Sequence, residues 1–371
     1  MKTILLGSLI AIAISARAGS VSPANEILSS LFNAELARAD SLIDLSIRKH
    51  PNIADFYFLK AHHAFYMRYF TQQPVPRDSI LNIIIDNGRK AIEAGERQPR
   101  TTEGKFFLGS AYGLVSRVHI MRQELWDGYW TARKSRNYLE EVLREDSTFF
   151  DAYIGLGVME YYPSRLTGFQ ATLSWLAGMS GNRERGLEYF QKASEKGRLF
   201  KSEATLILAY VYRFLENDFL QAGSFFSRLH GEFPRNEYFI TQHLQAQLAQ
   251  RIDEQGSGFI EAGIDSLQAH YRINNSGALN GMAYGFVASG KREIALSLFK
   301  VNIELYPGEA NPYDSIAECY LDFGDREMAI KYSRMALAKL PDDSTISEEF
   351  RESLRDILEE RLNELGASPG V

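Results

Sequence analysis

Residues 276–309, SGALNGMAYGFVASGKREIALSLFKVNIELYPGE, and residues 310–343, ANPYDSIAECYLDFGDREMAIKYSRMALAKLPDD, are equal in length and carry their special residues in the same places. An offset of 34 takes Ala283 to Ala317, Phe286 to Tyr320, Gly290 to Gly324, Ala295 to Ala329 and Pro307 to Pro341. Each match has a physical reason in a pair of antiparallel helices. The four alanines mark where two helix axes approach, and leucine there would overpack the contact at a cost of roughly 1–3 kcal/mol. Gly290 and Gly324 end the first helix, where the backbone needs a positive φ. Pro307 and Pro341 lack an amide hydrogen and stop the second. These are two consecutive helical hairpins in register.

Toward the N-terminus the same unit recurs in looser form. Lys201–Pro234 places Asn217-Asp218 at a turn and Ala222 and Phe226 on a second helix. In Arg235–Tyr271, Phe239–Leu248 pairs with Phe259–Tyr271 across Gly256-Ser257-Gly258. Asp151–Tyr162, DAYIGLGVMEYY, reads as a first helix with Gly157 at the small position. Its partner, Arg183–Ala193, arrives late and offers Gly186, which implies an insert at about residues 163–181. That insert carries Phe169, Leu173, Trp175, Leu176 and Met179. Either it packs into the groove, the arrangement expected from the cost of leaving such side chains wet, or it is a docking surface. Further toward the start, Thr102–Val118 pairs with a helix reaching about Arg144, and Asn52–Phe70 pairs with a helix through Ile80, Ile84 and Ile92. The apolar positions from Ile27 to Ile47 read as one helical run ended by Pro51. After Pro341, Thr345-x-x-Glu348 reads as a capping box. It opens an amphipathic helix whose apolar stripe is Ile346, Phe350, Leu354, Ile357, Leu358, Leu362 and Leu365.

About eight hairpins and a terminal cap result, with no alternating pattern long enough for a sheet. The expected fold is all-α, a right-handed α-solenoid closed by a C-terminal capping helix. Its expected divisions are a leader (1–18), a linker (19–23), degenerate hairpins (24–200), better hairpins (201–343), and the capping helix and tail (344–371).

Composition narrows the function. Of 371 residues, 45% are hydrophobic and 24% charged, ordinary for a globular chain, and the formal charge of -6 gives no global attraction to nucleic acid. Lys2, the apolar run Ile4–Ile14 and the small residues of Ala16-Arg17-Ala18 read as a cleavable signal peptide, with cleavage after Ala18. A periplasmic or secreted mature protein without a transmembrane segment is therefore expected. The single cysteine, Cys319, forbids an internal disulfide and reads as a buried helix residue.

On the alanines, glycines and prolines of 276–343, the chain resembles the tetratricopeptide repeat superfamily. Ser333 is the main departure, standing where an aromatic is usual. DAYIGLGVMEYY, the apolar insert and the turn Gly181-Asn182-Arg183-Glu184-Arg185-Gly186-Leu187 look like exported bacterial members. They are more faintly similar to outer-mitochondrial members. The resemblance implies a non-catalytic scaffold that binds a protein or peptide. It also implies that first helices line a groove presenting Asn280, Tyr284, Asn311, Asp314, Glu318 and Asp322. Such an array suits the backbone of an extended peptide or a basic segment, and equally an ordinary wet helix face. Any self-association is expected to be weak.

Catalytic patterns are not apparent. Gly155-Leu156-Gly157 lacks the third glycine of a dinucleotide loop, and Ser110 between Gly109 and Gly113 is misplaced for a nucleophile elbow. His62 and His63 are adjacent and point about 100° apart on a helix, so they do not share a metal. No cofactor or metal is expected, and Arg117, Arg122, Arg133, Lys134 and Arg136 read as a solvated helix face or an anion-binding patch. Trp126, Tyr129, Trp130, Tyr153, Tyr161 and Tyr162 open a second reading, a periplasmic small-solute or glycan-binding protein.

Overall fold

The computed structural model describes residues 23–70, 77–98, 101–166, 180–256, 258–261 and 268–368. The expected signal peptide, residues 19–22 of the linker and the insert side chains Phe169, Leu173, Trp175, Leu176 and Met179 lie outside them. So do residues 262–267 of the expected partner helix of 259–271. The described residues contain no strand. Antiparallel helical hairpins account for most of them, as expected. The chain divides into two compact units, Met1–Met159 and Glu160–Val371.

In the first unit the helices are α1 (Pro23–Phe32), α2 (Leu36–Lys49), α3 (Ala54–Phe70), α4 (Arg77–Arg97), α5 (Thr102–Met121) and α6 (Leu125–Glu145). Most of α7 (Ala152–Tyr161) also belongs to it. The expected single run from Ile27 to Ile47 is in fact two helices, α1 and α2. Ala34 takes φ 60°, the Glu35 amide donates to Ser30 O at 2.9 Å, and the Asn33 side chain donates to Ser29 O at 2.9 Å. The break lets Phe32 bury its ring 5.5 Å from that of Tyr66 on α3, a contact a straight helix would forgo. Close approach elsewhere depends on glycine. A Cβ at Gly109 would stand 2.9 Å from Tyr138 Cβ on α6, and one at Gly88 of α4 would stand 2.6 Å from Val115 Cγ2 of α5.

The second unit continues with α8 (Arg183–Lys196), α9 (Lys201–Tyr210) with a π-helical turn (Val211–Leu215), α10 (Phe219–Glu232) and α11 (Glu237–Gln255). After a single turn at Gly258–Glu261 come α12 (Ser276–Ala288), α13 (Arg292–Leu305), α14 (Ala310–Asp322) and α15 (Arg326–Lys339). A 3₁₀ turn (Leu340–Asp342) leads to α16 (Glu348–Glu364). Both ends of α12 and α13 map onto α14 and α15 with the offset of 34. Ala283, Ala295, Ala317 and Ala329 are fully buried, and Gly290 and Gly324 adopt φ 72° and 81°. The helices preceding Pro307 and Pro341 end at Leu305 and Lys339.

Two local expectations change. Ser347, not Thr345, caps α16, its hydroxyl accepting from the Phe350 amide at 3.2 Å. Asp343 takes Thr345 instead, accepting from its amide at 2.9 Å and its hydroxyl at 2.6 Å. Of the apolar stripe, Leu354, Leu358 and Leu362 are buried while Phe350 and Ile357 are exposed. The buried leucines lie at i, i+4 and i+8, a narrower seam than the sequence pattern.

Gly186 packs against Tyr161, where a Cβ would meet Tyr161 Cβ, Cα and N at 2.6–2.8 Å. At Gly290 a Cβ would meet nothing within 4 Å, so only its positive φ resists substitution. Gly290→Ala should therefore cost about 1 kcal/mol in urea unfolding and Gly186→Ala clearly more, roughly 2–4 kcal/mol, because backbone must move. A second expectation concerns pH. Burial, with the Glu103 charge added, pushes the Asp55 carboxyl up to about 7. The folded chain holds that proton more tightly than the unfolded one, so Asp55 erodes stability as pH rises from about 4 toward 7. Asp55→Asn should raise stability at pH 8 by at least about 1 kcal/mol and leave it unchanged at pH 4, read from paired denaturation curves.

Candidate functional site

The strip expected from the sequence lies on α12 and α14, and the structure sorts its residues into two kinds. Tyr284 and Glu318 are equivalent positions of successive repeats, and the Tyr284 hydroxyl donates to Glu318 Oε2 at 2.6 Å. Burial, then the Glu318 carboxylate, holds the Tyr284 phenol well above its usual range, so it stays a hydrogen-bond donor. Asp314, Glu318 and Asp322 follow at i, i+4 and i+8 on α14 and share one helix face. Tyr284, Glu318 and Asp322 are exposed, and Asn311 is half-buried.

The other two residues are tied into the fold. Asn280 is buried; its Nδ2 donates to Ser315 Oγ at 2.8 Å, and its Oδ1 accepts from Asn302 Nδ2 at 2.9 Å. Asp314 accepts from Arg361 of α16 at 2.7 Å, both side chains being largely buried. Burial raises the Asp314 carboxyl and the Arg361 charge partly offsets it. Asn280 is thus a bond between hairpins and Asp314 a bond to the cap, not freely wet groove residues. Arg361 is not apparent from the sequence because the apolar stripe of α16 leaves it among the residues of the polar face. The nearest signal was Ser333, which is fully buried with its hydroxyl 3.4 Å from the Arg361 guanidinium. A small side chain there leaves room for the ion pair.

The Gly181–Leu187 turn proves structural at every contact described. Gly181 has φ 65°, and Asn182 caps α8 by accepting from the Arg185 amide at 2.8 Å. The Arg183 Nε donates to both oxygens of Glu216 at 3.0 and 3.1 Å, and Tyr161 donates to the same carboxylate at 2.5 Å. Arg185 reaches Glu160 at 3.1 Å. Tyr161 is consequently core rather than a sugar-stacking ring, whereas Trp126 and Trp130 are exposed on α6. A shallow pocket lined by Gln247, Gln250, Arg251, Glu254, His270 and Tyr271 holds no nucleophile beside a base.

Three further groups bear on chemistry. His119, Glu124 and Asp127 bring three potential ligand atoms within 4.8 Å of one another at the α5–α6 turn, the one such grouping among the described residues. Within it, His119 Nδ1 and Glu124 Oε2 already satisfy each other at 2.5 Å. Arg213, in the π-helical turn, is buried over the rings of Phe219 and Phe214 at 5.0 and 5.5 Å. Its Nε and Nη1 have no hydrogen-bond partner among the described residues, and burial lowers the guanidinium to about 10, so it keeps its charge at neutral pH. Cys319 is buried and its thiol pushed up to about 11 by that burial, which leaves it no nucleophile. Gly155 packs against Leu139 inside α7, a packing position rather than a phosphate loop.

No family model and no curated protein matches the chain. Among solved structures it is similar to the APC/C hetero-tetramer Cut9–Hcn1, at 14% identity and a TM-score of 0.41, covering 91% of this chain and 54% of that one. The chain thus spans about half the length of that relative. It is also similar to yeast Tom70, at 12% identity and a TM-score of 0.31, covering 92% and 88% of the two chains. A third similarity is to the C-terminal part of a TPR repeat-containing protein from Cytophaga hutchinsonii, at 12% and 0.26, covering 86% and 96%.

Removing the guanidinium from the α14–α16 pair tests its structural role. Arg361→Leu should lower unfolding stability by roughly 2–4 kcal/mol, because it leaves the Asp314 carboxylate buried without a counter-charge. Adding Asp314→Asn should recover part of that loss, so a double-mutant cycle in urea should show coupling of at least about 1 kcal/mol.

Proposed function

We propose that the chain is an exported, non-catalytic tetratricopeptide scaffold of the cell envelope, which holds an extended, basic protein segment along α12 and α14. The observation that carries the reading is the line of carboxylates on α14, of which Glu318 and Asp322 are exposed, beside Tyr284, whose hydroxyl donates to Glu318. Carboxylates accept strong charge-assisted hydrogen bonds from lysine, arginine and backbone amides. The segment is bound rather than transformed, since the strip offers acceptors and a phenol held above its ordinary range but no base poised beside a nucleophile. Asn280 and Asp314 act one step back, fixing the relative register of α12, α14 and α16 on which the exposed groups sit. A surface ordered before binding reduces the entropy lost on association. Export rests on the leader-like start of the sequence, with the mature chain beginning at Gly19.

Crosslinking and affinity purification from the envelope of the native host should recover protein partners with the unaltered chain. Glu318→Lys combined with Asp322→Lys should lose most of them while thermal stability changes by less than about 1 kcal/mol, as expected for exposed sites. Retention of the same partners by a folded double variant would sink the assignment of the strip. N-terminal sequencing of the envelope protein should read from Gly19, and an uncleaved chain confined to the cytoplasm would refute export.

A further inference from the structure

The largest departure from an ordinary surface lies far along the sequence from that strip, at the α5–α6 turn. Trp126 is 76% exposed, Leu125 57%, Trp130 55% and Ile120 52%. Four large apolar side chains within eleven positions are therefore exposed. Trp126 and Trp130 stand one helical turn apart on α6 and share a face, with Arg133 continuing it; the guanidinium of Arg133 lies 5.7 Å from the Trp130 ring. Arg117 and Arg122 add positive charge beside the turn, Arg117 lying 4.3 Å over the Phe65 ring and Arg122 donating to Asn82 at 2.7 Å. Opposing them are Glu124, which contacts His119, and Asp127. The turn is ordered before any encounter. Gly128 is buried so closely against α5 that a Cβ would stand 2.8 Å from Ile120 Cγ1, and Ser116 Oγ donates to Gly128 O at 2.8 Å.

We propose that this turn docks on the headgroup region of an anionic phospholipid bilayer, with Trp126, Trp130, Leu125 and Ile120 entering the interface and the basic side chains reaching phosphates. Tryptophan favours that boundary because its ring is apolar while its indole N–H can still find a polar partner. Arginine and lysine extend their charge past an apolar stem to the headgroups. Size and shape favour a membrane over a second copy of the chain. The exposed tip offers on the order of 500 Å² of apolar side chain, short of the roughly 800 Å² per partner of a stable protein interface. A fluid bilayer surface also requires no complementary cleft. Attachment is peripheral, since no helix among the described residues is long and apolar enough to cross a membrane.

The test uses the purified full chain with vesicles of phosphatidylcholine alone and of phosphatidylcholine mixed with phosphatidylglycerol. Co-sedimentation with the phosphatidylglycerol vesicles is expected, weakened by salt, together with a blue shift of tryptophan emission. Trp126→Ser with Trp130→Ser should weaken it at least about tenfold, and Arg122→Glu with Arg133→Glu by a similar factor, since each basic side chain near such a surface contributes about fivefold. All four substituted positions are exposed or half-buried, and unchanged helical circular dichroism will show that the variants fold. Failure of the folded wild type to bind phosphatidylglycerol vesicles overturns the proposal, as does undiminished binding by the tryptophan variant. Equal binding to pure phosphatidylcholine overturns the anionic assignment. A wild-type dimer in light scattering that the tryptophan variant converts to monomer would make the turn a self-association surface instead.

Discussion

Two helices of a hairpin approach only as closely as the smallest side chain between them allows, and much of this chain follows from that limit. At Ala283 and Ala295, and again at Ala317 and Ala329, the contact positions are fully buried with a single methyl group each. At Gly109 and Gly186 even a methyl group would collide with the neighbouring helix. Close axes bring the flanking large residues into register: Phe286, Leu298 and Phe299 are completely buried, and Tyr320 stacks on Tyr332 at 5.6 Å. Burial of this kind is local, each hairpin covering its neighbour, so the last one needs a lid. Leu354, Leu358 and Leu362 of α16 supply it.

Polar ties then decide how successive hairpins register, which apolar contact alone specifies poorly. Asn280 to Ser315 links α12 to α14, and Asp314 to Arg361 links α14 to α16. Asn302, wholly buried, donates to both Asn280 and the Ser276 carbonyl. A hydrogen-bonded buried amide adds little net stability, yet leaving its partner unmet costs about 1–3 kcal/mol, so slipped stackings are disfavoured. The same logic explains Ser333. An aromatic there would have added packing to α15, but it would have occupied the space where Arg361 meets Asp314.

The repeat was legible because its determinants are single residues with single reasons. Gly290, Gly324 and the four alanines act where they stand, and the helix limits they imply recur in both hairpins. What escaped depends on partners distant in sequence. In Asn33-Ala34-Glu35 only Asn33 hints at a turn, since neither glycine nor proline is present; the break goes with an aromatic neighbour that Phe32 meets on α3. Thr345 matched a capping box, but a competing acceptor, Asp343, captured it and left the cap to Ser347. The groove list was half legible for the same reason. Helical spacing places Asn280, Asp314 and Glu318 on first helices, yet only the neighbours across the hairpin show which are already bonded.

Subtracting the bonded groups changes what recognition can rest on. An asparagine free to clamp a peptide backbone would read shape, but Asn280 has its acceptor and donor engaged inside the fold. What remains outward on α12 and α14 is the Tyr284–Glu318 pair and the Asp322 carboxylate, with Asn311 at the edge. Carboxylates on an exposed helix act mainly through charge, over about a Debye length and with little demand on the exact position of their partner. Selection of a basic segment by such a strip is therefore strong in association rate, sensitive to salt and tolerant of the segment's sequence. Stringent specificity would need buried, pre-aimed donors, and in these repeats those have been spent on holding the helices to one another.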